Sequence, residues 1–139
     1  MKKKIPVKDR NGNEVEGWIE IEEDRIELVL DYNNKRISKT ADDYFSALSL
    51  IRRELETQGI ILICNGASKD VFPSPMIRDM GDGDQAYRLK IGFPAKMADV
   101  VNIFDVDKDN FIASTVDEQE NHYKDWLDSK KDASWQNNG

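Results

Sequence analysis

The chain has 139 residues, the size of one ordinary domain, and its 39% hydrophobic content with 5 Phe, 4 Tyr and 3 Trp is too rich in core formers for a disordered segment. Lys and Arg number 20 against 27 Asp and Glu, and the resulting net charge of −7 disfavours non-specific binding to DNA or RNA while favouring basic partners. A single Cys and a single His exclude an internal disulfide and a His/Cys zinc site, so no cofactor or metal is expected.

The Lys2–Lys4 start leads into Ile5-Pro6-Val7-Lys8-Asp9 and not into the apolar stretch of a secretion signal. No run approaches the roughly 20 apolar residues of a membrane span. The expectation is a cytoplasmic protein with no membrane partner. Lys2 to Asp9 reads as a strand, and Asn11-Gly12 as a hairpin turn. The next segment alternates, with Val15, Ile19 and Ile21 on one face and Glu14, Glu16, Trp18, Glu20 and Glu22 on the other. Glu23-Asp24 turns the chain. Arg25 to Asp31 alternates again, with Ile26, Leu28 and Leu30 on its apolar face. Asn33-Asn34 is a further turn, and Lys35 to Ser38 a short strand.

Thr40 is placed to cap a helix, with Asp42 and Asp43 at the positive end of its dipole. Tyr44, Leu48, Ile51 and Leu55 form one helical stripe, widened by Phe45, and Gln58-Gly59 ends the helix. Ile60 to Cys64 is short, apolar and β-branched, which predicts a central buried strand. Residues 67–84 read as irregular. Gln85 to Phe93 reads as a strand with Tyr87, Leu89 and Ile91 on one face. Met97 to Val106 fits a strand or a short helix, Phe111-Ile112-Ala113 a brief strand, and Val116 to Lys130 a charged helix. The expected fold is α+β: an antiparallel sheet of five or six strands, one central helix packed on it and a C-terminal helix. Residues 1–131 form a single domain and 132–139 a flexible tail.

Catalytic motifs are weak. Asp105, Asp107 and Asp109 match the first positions of a calcium loop, but Asn110 replaces the turn glycine and Val116 the bidentate glutamate. Gly81-Asp82-Gly83-Asp84 carries acids where a phosphate cradle needs cations. His122 lies on an expected exposed helix with no nucleophile marked beside it, and Cys64 ends an apolar strand as a small hydrophobe. The acidic hairpin says more. Eight acids lie between Glu14 and Asp31 with Arg25 as the one base, and a second acidic zone runs from Asp99 to Asp128. Two readings of the hairpin stand. Its charges keep an exposed sheet face soluble, or they form a docking surface in which Glu16, Glu20, Glu22 and Glu27 ring Trp18 as an aromatic anchor.

The middle of the chain carries a distinctive set of residues: Cys64-Asn65-Gly66-Ala67, Asp70-Val71-Phe72-Pro73-Ser74, Met76, Arg78-Asp79-Met80-Gly81-Asp82-Gly83 and Ala86-Tyr87-Arg88-Leu89. Together they resemble small acidic bacterial proteins of the immunity type, which accompany polymorphic or contact-dependent toxins. The resemblance covers about residues 60–93. It implies a non-enzymatic protein that binds a cognate, basic toxin domain, such as a nuclease, and blocks its active or substrate-binding surface. Within the stretch, Arg78 is expected to pair with Asp70 or Asp79 and pin the loop. The alternative is a small-molecule binder or small enzyme whose pocket at residues 65–88 holds Arg78, Asp79 and Tyr87. A chaperone or adaptor for secreted protein is a third reading.

Overall fold

The computed structural model describes residues 1–130. The tail expected at 132–139 lies outside the described residues, as does residue 131. Four strands run as an antiparallel meander, β1 (Lys2–Lys8), β2 (Glu14–Ile21), β3 (Glu27–Tyr32) and β4 (Lys35–Thr40). A fifth, β5 (Ile61–Leu62), pairs with the far side of β1, so the order is β4-β3-β2-β1-β5. The turn residues act as their chemistry dictates. Gly12 takes φ +83°, and Asn33 and Asn34 take +46° and +60°, the two positive values a tight hairpin turn requires. Alternation then places Ile5, Val7, Ile19, Ile21, Leu28, Leu30 and Ile37 together on the buried face.

Helix α1 (Tyr44–Glu56) covers that face with Tyr44, Leu48, Ile51 and Leu55, and Phe45 is buried beside them. Its cap is Asp43 rather than Thr40. The pairing of β4 runs on to Thr40, opposite Glu27, so the chain leaves the sheet two residues later than expected. Asp43 then accepts from the Ser46 N–H at 2.7 Å. Gly59, at φ +71°, follows the helix end.

The apolar run from Ile60 to Cys64 contains a two-residue edge strand, not a central one. Loops do the covering that neighbouring strands were expected to do. The Asn65 and Gly66 N–H groups donate to Asp105 and Ile103 carbonyls, each at 2.8 Å, and seal the end of the run. The stretch expected to be irregular holds β6 (Val71–Phe72) and helix α2 (Pro75–Met80), which has Ser74 as cap and Pro75 at its first position. β6 joins a second antiparallel sheet with β7 (Gln85–Arg88) and β8 (Val100–Asn102), in the order β6-β7-β8. Strand β7 is shorter than expected, and of the face expected to be apolar Leu89, just beyond the strand, is buried. Ala86 is inside, while Ile91 lies beyond the strand and is exposed. A 3-10 turn at Met97–Asp99 precedes β8, so both elements expected there are present. No strand forms at residues 111–113, where the Ile112 N–H is bound by the Ser68 hydroxyl instead.

Helix α3 (Val116–Ser129) opens with a capping box between Thr115 and Glu118 and is the expected C-terminal helix. It is locked to the rest of the molecule by buried Gln119. The Gln119 amide donates to the Gly66, Ser68 and Val71 carbonyls at 2.8 to 2.9 Å, and its oxygen accepts from buried Arg52 of α1 at 2.6 Å. Arg52 also donates to the Ser114 carbonyl at 3.1 Å. These bonds supply partners for backbone groups of the 65–71 loop that lie away from water. No helix among the described residues is long and apolar enough to cross a membrane.

Candidate functional site

The sheet places Glu16, Trp18 and Glu20 on one outer face, as the alternation requires, but it also places cations there. Lys2 and Lys4 of β1 lie within 3.8 Å of Glu20 and 3.6 Å of Glu16, respectively. Arg36 of β4 binds Asp31 at 2.7 Å, and Arg25 binds Glu27 at 2.9 Å. Lys108, from a distant loop, reaches Glu14 at 2.7 Å. Hydrogen bonds from Arg25 and Ser38 hold the Glu27 carboxyl below its usual range, and Arg36 does the same for Asp31. The outer face of the four strands carries Glu14, Glu16, Glu20, Glu27 and Asp31 against Lys2, Lys4, Lys8 and Arg36, and Arg25 of the adjoining turn supplies the fifth cation. Trp18 is 40% exposed, with the Lys4 ammonium 5.8 Å from its ring centroid. The acid-rich sequence stretch therefore folds into a charge-balanced face. Glu22 is not on it, because β2 ends at Ile21.

A second group of acids, several of them without an internal cation, gathers at the N-terminal end of α1. Three segments meet there: the β2–β3 turn at 22–25, the α1 cap at 42–43, and the end of α2 with its following loop at 78–84. Tyr44 joins them. Its N–H donates to the Asp82 carbonyl at 2.7 Å, and its hydroxyl donates to the Glu22 carbonyl. Burial, and then the carboxylates of Asp82, Glu23, Asp84 and Asp24, push the Tyr44 phenol above its usual pKa. Gly83 permits the close approach. Its φ is +84°, and a Cβ there would lie 2.7 Å from Asp43 Cβ.

Arg78 fastens α2 to this end. It donates to Asp43 at 3.0 Å and to the Ser46 hydroxyl at 3.2 Å, and its guanidinium lies 5.2 and 5.5 Å from the Phe45 and Phe72 ring centroids. The expected pairing with Asp70 or Asp79 does not form; Asp70 is taken by Arg88 at 3.0 Å. Around Tyr44, Glu22, Glu23 and Asp24 join Asp42, Asp43, Asp79, Asp82 and Asp84, with Arg25 and Arg78 as the only cations of the three segments. That amounts to a net charge of −6 of the chain's −7. The side chains of Glu23, Asp42, Asp79, Asp82 and Asp84 make no hydrogen bond or ion pair among the described residues. Beside them α2 turns Met76 and Met80, one helical turn apart, to solvent at 71% and 81% exposure. The arrangement is an anionic surface with two soft apolar anchors.

The remaining sequence candidates fall apart as chemistry. Arg78 is committed to Asp43, Asp79 is exposed, and Tyr87 lies in the second sheet between Phe72 and Val100. None of the three lines the 590 Å³ cleft between the β7–β8 connection and α3. His122 does line it. The histidine is half-buried instead of exposed, and burial lowers its pKa. Cys64 is fully buried and its thiol is pushed up to about 11, which removes it as a nucleophile near neutral pH. Asp105 pairs with Lys3 and Asp107 caps its own turn through Asn110; no cluster of three metal-ligating side chains exists among the described residues.

Compared with protein-family models and with curated proteins, the chain matches none, so the immunity-type resemblance rests on the residues quoted for it. Sequence reasoning missed the anionic end because its three segments are 20 to 60 residues apart and no short window shows them together. The one available signal was Gly81-Asp82-Gly83-Asp84, a loop able to approach another backbone closely.

Proposed function

We propose that the chain is an immunity-type protein: a non-catalytic binder that neutralises a basic bacterial toxin domain by covering its active or substrate-binding surface, with the α2 end as the docking site. The observation that carries this reading is the gathering of unpaired carboxylates from three segments around exposed Met76 and Met80. Unpaired like charges held together oppose folding, and a cationic partner relieves them. A domain that acts on nucleic acid presents such a surface, because it must hold phosphates. Complementary charge speeds the encounter, and the methionines supply apolar contact that adapts to a partner's shape. Glu16, Trp18, Glu20 and Glu27 form the competing surface, disfavoured because the three acids already hold internal cations.

The test is affinity capture from the native cells at low and high salt, followed by an assay of the captured protein's toxicity with and without the inhibitor. The expected result is one basic protein held in equal ratio, released at high salt, inhibited by the wild-type chain and not by a Glu23→Lys, Asp79→Lys, Asp82→Lys variant. Equal inhibition by that variant would remove the α2 end. Loss of inhibition only on reversing Glu16 and Glu20 would move the interface to the sheet.

A further inference from the structure

The 590 Å³ cleft plays no part in the docking surface, and its lining is unlike the rest of the molecule. One part of its wall is apolar, with Phe93 and Pro94 joined by Ile91 and Ile112, which are 44% and 47% exposed. Large aliphatic side chains left open to water inside a concavity are the usual lining of a ligand site. The charges complete the picture. Of the two carboxylates that line the cleft, Asp70 is neutralised within the protein and Asp99 holds one backbone bond. Asp70 is held on its two oxygens by Arg88 at 3.0 and 3.1 Å, and Asp99 accepts from the Lys96 backbone N–H at 3.1 Å. Arg88 is in turn fixed by Asn65 and the Asn110 carbonyl.

Lys90 and Lys96 are different. Neither ammonium makes an ion pair among the described residues, and that of Lys90 rests 4.3 Å from the centroid of the Phe93 ring. His122 of α3 also lines the cleft, and burial, the largest influence on it, lowers its pKa. In a chain of net charge −7, the charged residues lining this cleft, Arg88, Lys90 and Lys96 against Asp70 and Asp99, leave a net charge of +1.

We propose that the cleft binds a small organic anion with an apolar body, its acid group between Lys90 and Lys96 and its body against Ile91, Phe93 and Ile112. The site is separate from the α2 end, so it stands or falls independently of the immunity-type reading. The test is an amide NMR titration of the full chain with three probes: octanoate, acetate and octylammonium. Octanoate is expected to give saturable shifts centred on Ile91, Phe93, Ile112 and His122, while acetate lacks the apolar body and octylammonium has the wrong charge. Exchanging both cations in a Lys90→Glu, Lys96→Glu variant should weaken octanoate at least about tenfold, the worth of one charge-assisted contact. Ile112→Asp should weaken it as well. Both variants change exposed side chains and leave the core untouched, which their spectra would verify. Octanoate shifts that fail to saturate, that fall elsewhere, that are matched by octylammonium or acetate, or that survive both variants would overturn the proposal.

Discussion

The sheet's outer face and the α2 end both draw on acid-rich sequence, and folding treats them in opposite ways. On the sheet, each glutamate of β2 meets a cation from a neighbouring strand or loop, as Lys2 meets Glu20 and Lys108 meets Glu14. At the α2 end, acids from three separate segments meet one another. The difference teaches that charge density along a chain does not report charge density in space. A strand's neighbours lie across the ladder, and only the register reveals them. The two regions also differ in what holds them. The strands are held by alternating apolar residues over one core, whereas the 65–84 stretch adds Ala67 and Val71 to that core and is held as well by buried polar bonds from Gln119 and by the Arg78–Asp43 pair.

The largest effect should come from the polar lock. Gln119→Leu removes one hydrogen bond from buried Arg52 and one from each of the Gly66, Ser68 and Val71 carbonyls, and should destabilise the protein by about 3 kcal/mol or more, read from chemical denaturation. A loss below about 1 kcal/mol would mean that the second sheet holds its own position. Next is binding: reversing Glu23, Asp79 and Asp82 should weaken the proposed complex with a basic partner about 100-fold, with the loss shrinking at high salt because screening already removes much of the attraction. An undiminished effect in high salt would point to broken contacts in place of lost field.

Gly83→Ala tests how tightly the loop is seated. Its positive φ and the close Asp43 Cβ should together cost about 1–3 kcal/mol. A neutral result would show a loop free to move off α1. On the sheet, Glu20→Lys should shift stability by no more than about 0.5 kcal/mol, since the exchange swaps a weak surface pair for a screened repulsion. The pH dependence sharpens the same contrast. Glu27 has a folded pKa below its usual value, so its stabilising contribution is present above the ordinary glutamate pKa and is lost as pH falls through the lowered folded value. Carboxyl-carbon NMR should show Glu27 titrating at lower pH than a free glutamate, and a titration at or above the free value would deny it the Arg25 and Ser38 bonds.

The α+β fold was largely legible in the sequence where period and turn chemistry agree. Val15, Ile19 and Ile21 alternate, Asn33-Asn34 demand a tight turn, and Tyr44 to Leu55 repeat at helical spacing; all three features are present. Legibility failed where tertiary contacts decide. Ile60 to Cys64 has the composition of a central strand because loops bury it, and composition does not distinguish loops from strands as cover. Helix α2 lies in a stretch read as irregular, because six residues of helix are too few for a periodic signal. The partner of Arg78 was illegible for a different reason. Asp43 lies 35 residues away, and only the packing of Gly83 against it brings α2 into reach.

The central claim is that the acidic end around α2 is the docking surface and the sheet face is not. Calorimetric titration of the purified toxin partner with three chains tests it most directly: the wild type, the Glu23→Lys, Asp79→Lys, Asp82→Lys variant, and a Glu16→Lys, Glu20→Lys variant. The account predicts near wild-type affinity for the sheet variant and a loss of about 100-fold, or about 2.7 kcal/mol, for the α2-end variant. A sheet variant that binds more weakly than the α2-end variant would contradict it.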